Sequence, residues 1–293
     1  MLAEYCKNNE VTSGEDSQTR FGRSTQQFAL CFARVIKIGV LHPLKRRVYE
    51  YARCTRHNLR HLHMFSIGYR GDDLWTVRHS KGELRSTTYP YLAMHDIEGY
   101  MKNGEWSLEP GMVVVDAGGC LGEFSLYASQ CVGETGCVIM LEPDSGNVDG
   151  AARNFAANGN PSNITVLKTG LWNTKGTIRF TTGLSAQSSI VDETTPAGGG
   201  KIVEIPTTTL AELVTDLKLS RLDFVKLDIE GAELEAISAA KLLPAGMKPR
   251  HAIASYHLRD GLPTAGRLEQ MLGELGYHTA TGNPRHLTTW ATT

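Results

Sequence analysis

The sequence predicts an α/β protein built on an open, mostly parallel sheet, and three observations carry that expectation. MVVVD (112–116) is a continuous apolar run that ends in an acid followed by glycines, the pattern of a buried parallel strand. Beyond it, strand patterns alternate with helix-length segments of roughly 10–15 residues. The chain then closes on two strand patterns joined by Gly282-Asn283-Pro284, which implies one antiparallel strand at an end of the sheet.

Taken in order, residues 1–25 have few large apolar side chains and read as a mobile tail. Residues 26–108 read as a helical, substrate-side extension, with Phe28, Phe32, Val35, Ile36 and Ile38 at helical spacing in a pattern running to about Met64. That stretch is basic. Arg34, Lys37, Lys45, Arg46, Arg47, Arg53, Arg56 and Arg60 are opposed only by Glu50, so it is either a solvated helical face or a docking surface for an anionic partner. The α/β domain occupies 109–293. After MVVVD come a helix at 121–131, the strand CVIML (137–141), a helix at 145–158 and the strand NITVLK (163–168). TIRF, SSIV and KIVEIP within 176–206 are short strand-like pieces that predict an antiparallel insertion. A helix at 208–217, the strand RLDFVKLD (221–228), a helix at 232–240, the strand HAIASYH (251–257) and a helix at 263–275 complete the alternation, followed by strands at 277–281 and 286–292.

Composition narrows the function classes. The 293 residues carry 30 Lys+Arg against 31 Asp+Glu, and this neutrality argues against a dedicated nucleic-acid binder. Cys6, Cys31, Cys54, Cys120, Cys131 and Cys137 form neither a C-x-x-C pair nor a zinc spacing, and their scatter fits free thiols in a reducing compartment. The apolar run Phe28–Leu41 is too short to span a bilayer and is broken by Arg34 and Lys37. With a polar N-terminus unlike a signal peptide, the expectation is a soluble cytoplasmic protein with no membrane span, and a homo-oligomer stays open.

In open α/β sheets ligands bind beyond the carboxyl ends of the strands. The loop Asp116-Ala117-Gly118-Gly119-Cys120-Leu121-Gly122 lies there, and its glycines let backbone approach a ligand closely. It meets neither G-x-G-x-x-G nor a G-K-[ST] phosphate loop. Asp116 instead suits a ligand bearing positive charge, such as S-adenosylmethionine with its sulfonium and ammonium. Glu142, closing the next strand before Pro143, can accept both hydroxyls of a ribose. The alternative for each acid is a helix cap, but acids ending successive strands around this glycine loop favour a nucleoside site.

VVDAGGCLGEFSLYA, LEPD, ARNFAANG and LDFVKLDIEGAELEAI together resemble the FkbM family of S-adenosylmethionine-dependent methyltransferases, over about Val113–Tyr277. The resemblance implies a class I methyltransferase fold and O-methylation, often of natural products or sugars, hence a small-molecule or glycan acceptor. Members commonly read D-x-G-A-N-x-G, where this chain has Gly119 and Cys120 in place of Ala and Asn. The first hundred residues carry little of the likeness and are expected to define the substrate.

Asp228 ends the fourth strand, Glu230 follows at the next helix, and His257 ends the fifth strand, so the three can converge near the transferable methyl group. His257 is the expected base and the carboxylates orient its ring, the alternative being a strand-end histidine bonded to backbone. A second chemistry places Mg²⁺ or Mn²⁺ on Asp228, Glu230 and His257. Glu233 is expected to do no more than favour a helix N-terminus. Gly170 and Leu171 are expected beside the adenine, Trp172 in the core, and Asn154 and Asn158 at a helix end. The segment 183–201, with Gln187, Ser188 and Ser189, is expected to form a lid. N-methylation stays open as an alternative, since a neutral amine needs less help from a base, and the other class of function is a nucleoside-binding module without catalysis.

Overall fold

The computed structural model describes residues 43–60, 62–182 and 201–293. The expected tail at 1–25, the helical pattern before Pro43, the SSIV piece and the lid at 183–200 lie outside the described residues. The first element is a helix, α1 (Pro43–Arg60). Lys45, Arg47 and Arg56 on it are exposed.

Residues 62–108 depart from the helical expectation. They hold a three-stranded antiparallel sheet, β1 (Ser66–Gly71), β2 (Leu74–His79) and β3 (Gly82–Ser86), followed by helix α2 (Tyr91–Tyr100). The hairpin turn between β1 and β2 is Asp72-Asp73, both at positive φ (51° and 57°), as a two-residue turn of this hand demands. Asp-Asp is a weak turn signal beside Asn-Gly, and that is why the strand pattern of Ile67, Tyr69, Trp75 and Val77 escapes a sequence reading. Those four side chains join Met94, Ile97 and Tyr100 of α2 in one core with Val114, Phe124 and Phe224. The small sheet is therefore part of the compact unit Tyr51–Thr293 that contains the α/β domain.

The α/β alternation follows the sequence closely. In chain order the elements are β4 (Val113–Ala117), α3 (Glu123–Val132), β5 (Cys137–Leu141), α4 (Ser145–Ala157), β6 (Ile164–Leu167), β7 (Gly170–Leu171), β8 (Gly176–Thr182), β9 (Lys201–Thr208) and α5 (Leu210–Asp216). There follow β10 (Phe224–Leu227), α6 (Glu233–Ser238), β11 (Arg250–Ala254), β12 (Leu258–Arg259), β13 (Leu262–Pro263), α7 (Ala265–Glu274), β14 (His278–Gly282) and β15 (Thr288–Thr292). Seven strands form the main sheet in the order β14-β15-β11-β10-β4-β5-β6. Only β15 runs against the rest, and it lies one place in from the edge, between β14 and β11. The insertion is antiparallel as expected, with β8 pairing β9.

Alternation along the strands separates two cores. Val114, Val138, Phe224, Ala252 and Ala254 pack on the side of the small sheet, whereas Val115, Ile139, Val225, Leu227 and Ile253 pack on the other with α5, α6 and α7. The helices start on side-chain caps where the sequence supplies them. Asp144 accepts from Gly146 N and Asn147 N at α4, and Thr209 with Glu212 forms a capping box at α5. Among the described residues no helix is long and apolar enough to cross a membrane.

Asn154 and Asn158 do more than finish α4. Asn154 Oδ1 accepts from Thr87 N (2.8 Å) and Thr87 Oγ1 (2.7 Å), and its Nδ2 donates to Leu121 O (2.8 Å). Asn158 pairs its amide with both backbone groups of Arg85. The two asparagines thus tie the end of β3 to α4 and to the glycine loop. Asn154→Ala should cost about 1–3 kcal/mol, because it strands a buried acceptor and two donors. Urea unfolding of the variant measures this, and an unchanged midpoint would remove the tie.

Candidate active site

The glycine loop between β4 and α3 is shaped by its own neighbours. Gly118 has φ 75°, and a Cβ there would run into the carbonyl oxygen of Asp228. Gly122 has φ 78° and caps α3, with the ring of Phe155 where a Cβ would go. Glycine at these positions allows the loop to lie against β10 and α4. Cys120 adopts φ 47°, a conformation that Asn tolerates better than Cys. Its N–H donates to Glu142 Oε2 at 2.8 Å.

Glu142 follows β5 directly and is buried, with Oε1 accepting Asp144 N at 2.9 Å. Burial, only partly offset by these backbone bonds, pushes its pKa up to about 6. A carboxylate has about four acceptor positions, so a vicinal diol can still be received here. Pro143 precedes the α4 cap, Gly119 packs on Met140, and Gly170 and Leu171 form β7 just past β6.

Asp116 faces inward. It stands in register with Lys226 on the neighbouring strand β10, with its side chain fully buried. Lys226 Nζ lies 3.0 Å from Asp116 Oδ1, and Ser125 Oγ donates to Oδ2 at 2.6 Å. The same ammonium donates to Gly118 O (2.6 Å) and Ala117 O (3.3 Å). Burial opposes the charge on Lys226, but Asp116 and Asp228 outweigh it and raise its pKa. The charge that the sequence reading reserved for a cationic ligand is thus already met by Lys226, and Asp116 supports the loop from beneath.

Around Asp228 the structure gathers a cluster from four parts of the chain. Tyr100 OH donates to Asp228 Oδ2 (2.8 Å) and Tyr256 OH to Oδ1 (3.3 Å). His257 Nε2 lies 3.8 Å from Asp228 and 3.4 Å from Glu230, while Nδ1 lies 3.0 Å from Glu233. His286 Nε2 is 3.9 Å from both Asp228 and Asp96. Asp228, Glu230 and His257 therefore do converge. His257, however, sits three residues past the end of β11, in a segment that the backbone bond Thr264 N to His257 O closes.

Burial works against a charge on Asp228, but His286, Lys226 and His257 outweigh it and hold its carboxyl well below the usual range. For His257 burial also works against the charge, yet Glu233, Glu230 and Asp228 push its pKa up to about 11. Glu230 moves the other way, its pKa raised chiefly by burial. At neutral pH the ring of His257 is thus an imidazolium facing carboxylates.

Several members of this cluster have no local sequence signal. Tyr100 lies on α2, outside the segment that carries the family likeness, and His286 lies in the closing hairpin. Glu233 looks like a helix-start acid in the sequence. It is fully buried, and its Oε1 accepts the N–H groups of Ile229 and Gly231. Lys226 alone was discoverable, since a lysine among apolar strand residues needs a buried partner.

The family described as Methyltransferase FkbM domain matches residues 116–279, more than half of the chain. The chain belongs to this FkbM family. A curated relative, Methyltransferase sdnD of Sordaria araneosa, is 28% identical over a region covering 42% of this chain and 58% of the relative. The chain thus spans well under two thirds of that protein's length. Among solved structures, the FkbM methyltransferase from Methylobacillus flagellatus KT aligns with TM-score 0.46 at 22% identity, covering 66% of this chain and 46% of that one. Fibrillarin from Aeropyrum pernix in complex with natively bound S-adenosyl-L-methionine aligns with TM-score 0.44 at 12% identity, covering 79% of this chain and 100% of that one. The FkbM match includes the glycine loop, Glu142, Asp228 and His257, but neither Tyr100 nor His286.

Breaking the Lys226–Asp116 pair from one side leaves a buried carboxylate uncompensated. Lys226→Met should destabilise the fold by about 3–5 kcal/mol, and adding Asp116→Asn should restore a substantial part of it. Denaturant unfolding reads both. A loss in the single variant below about 1 kcal/mol, as for an exposed pair, would contradict this role.

Proposed function

We propose that this FkbM domain is an S-adenosylmethionine-dependent O-methyltransferase acting on a hydroxyl of a small-molecule natural product or sugar. The observation that carries the reading is the arrangement at the carboxyl ends of three adjacent strands. A ribose-accepting acid, Glu142, follows β5, the glycine loop follows β4, and the Asp228 cluster follows β10. S-adenosylmethionine, when bound, supplies the methyl group from its sulfonium. Glu142 accepts the ribose hydroxyls, and the backbone of 118–122 lies along the methionine part. Gly170 and Leu171 flank the base. The thiols of Cys54, Cys120, Cys131 and Cys137, all free among the described residues, suit the cytoplasm.

Methyl transfer needs alignment first, and a hydroxyl must also lose its proton. The reading from sequence makes His257 the base. Because carboxylates hold its ring protonated, the hydroxyl proton passes to Glu230, 3.4 Å from Nε2, while the His257 imidazolium balances the charge of the carboxylates around it. Burial raises the Glu230 pKa toward the range where a carboxylate accepts a proton usefully. Tyr100 and Tyr256 hold Asp228 in place beside them.

Two measurements test this. Isothermal titration with S-adenosylmethionine should show binding that Glu142→Gln weakens by about tenfold, since a charge-assisted bond to the ribose is lost. Affinity of the unmodified chain should rise as pH passes upward through about 6, where Glu142 ionises, and that step should vanish in the variant. No binding in the unmodified chain would end the cofactor assignment. His257→Ala and Glu230→Gln should each lower turnover by about 10²-fold or more while keeping cofactor affinity. Full turnover in both would remove the pair, and cofactor binding without turnover on any hydroxyl acceptor would favour a non-catalytic nucleoside-binding module.

A further inference from the structure

The Asp228 cluster holds more negative charge than its cations match. Lys226 lies on Asp116 and also helps to hold Asp228 ionised, and His95 Nδ1 lies 3.7 Å from Asp96, which leaves the imidazoles of His257 and His286 to face Asp228, Glu230 and Glu233. Two features show where the mismatch is concentrated. Glu233 has a side chain with no exposure at all, and its Oε2 is buried without a hydrogen-bond donor. His257, only 11% exposed, has no hydrogen bond of acceptable geometry at either ring nitrogen, although carboxylate oxygens stand close to both. Buried polar atoms left in this state are costly unless a ligand completes them. One ligand atom each from Asp228, Glu233 and His257 lies within 4.8 Å of the others.

We propose that Asp228, Glu233 and His257 bind a divalent metal ion of the Mg²⁺ or Mn²⁺ class. On binding, the ion displaces to solvent one of the two protons that the carboxylates otherwise keep on the His257 ring. Metal–ligand bonds of about 2.1 Å place the three atoms of a facial set about 3 Å apart, so the groups, now within 4.8 Å of one another, close in by up to about 2 Å when the ion binds. Two carboxylate oxygens and one imidazole form a facial set that suits such hard ions and leaves three positions for water or acceptor oxygens. An acceptor with two neighbouring oxygens, a diol or a hydroxy acid, is the class that such a centre orients. The sequence reading of a metal used Glu230, whereas the geometry substitutes Glu233. Glu230 stays outside the ligand set, 3.4 Å from His257 Nε2, as the carboxylate left to receive the acceptor's proton. The role given to the ion rests on the methyltransferase reading, but its binding does not.

Titration of the full chain with Mn²⁺, followed by electron paramagnetic resonance of the free ion, tests the site without substrate or turnover. One saturable ion per chain is expected. Asp228→Asn, Glu233→Gln and His257→Ala should each weaken it by at least about tenfold, and Glu230→Gln by less than about threefold. Should those variants fail to fold, Mg²⁺ added to the unmodified chain should still shift the ring resonances of His257. Absence of saturable uptake up to about 1 mM, unchanged affinity in folded variants, or an unshifted His257 ring would overturn the proposal. Parallel titration with S-adenosylmethionine separates the two readings. Mn²⁺ uptake without cofactor binding would sink the methyltransferase reading and leave the site, and the reverse would sink the site alone.

Discussion

The buried pair of Lys226 and Asp116 is the constraint on which the rest of the site depends. Both side chains point from adjacent strands into the core beneath the small sheet, where an unmatched charge would be prohibitive. Having placed them there, the fold uses the ammonium three times: on Asp116, on the carbonyls of Ala117 and Gly118, and in the field that holds Asp228 ionised. The glycine loop is thereby fixed to β10, and the turn after β10 carries Asp228. One interaction thus sets the distance between the region expected to hold the cofactor and the region expected to hold the acceptor.

The α/β part of the fold is legible because its central strands β4, β5 and β10 are buried on both faces and read as nearly continuous apolar runs. Cys137–Leu141 matches its expected boundaries, and α4 differs by one residue. The small sheet is not legible. Its strands interleave polar with apolar residues, its turn is Asp-Asp, and the basic residues of α1 lie directly upstream in a helical pattern. The same distinction holds in the site. Glu142 and Asp228 announce themselves by ending strands. Tyr100 and His286 reach Asp228 across 128 residues in one case and from the closing hairpin in the other, contacts that no local pattern encodes. Glu233 shows a subtler failure, because the residue type and position that favour a helix start also fit a buried partner for His257.

The division between shared and individual parts follows from this geometry. The FkbM match covers the loop, Glu142 and the Asp228–His257 segment, whereas α2 brings in Tyr100 and Asp96 from outside it. Residues before the family segment thus complete the charge environment of Asp228 as well as flanking it. This region contributes Tyr100, whose hydroxyl lies 3.3 Å from His286 Nε2, and Asp96, 3.9 Å from the same nitrogen.

The proposed site is divided in space, with the cofactor at Glu142 and the chemistry at Asp228. A crystal structure of the chain with S-adenosylhomocysteine tests it most directly. Ribose hydroxyls are expected on Glu142, with the thioether sulfur directed at the Asp228–Glu230–His257 cluster. A ligand whose sulfur points away from that cluster, or whose ribose sits elsewhere, would contradict it.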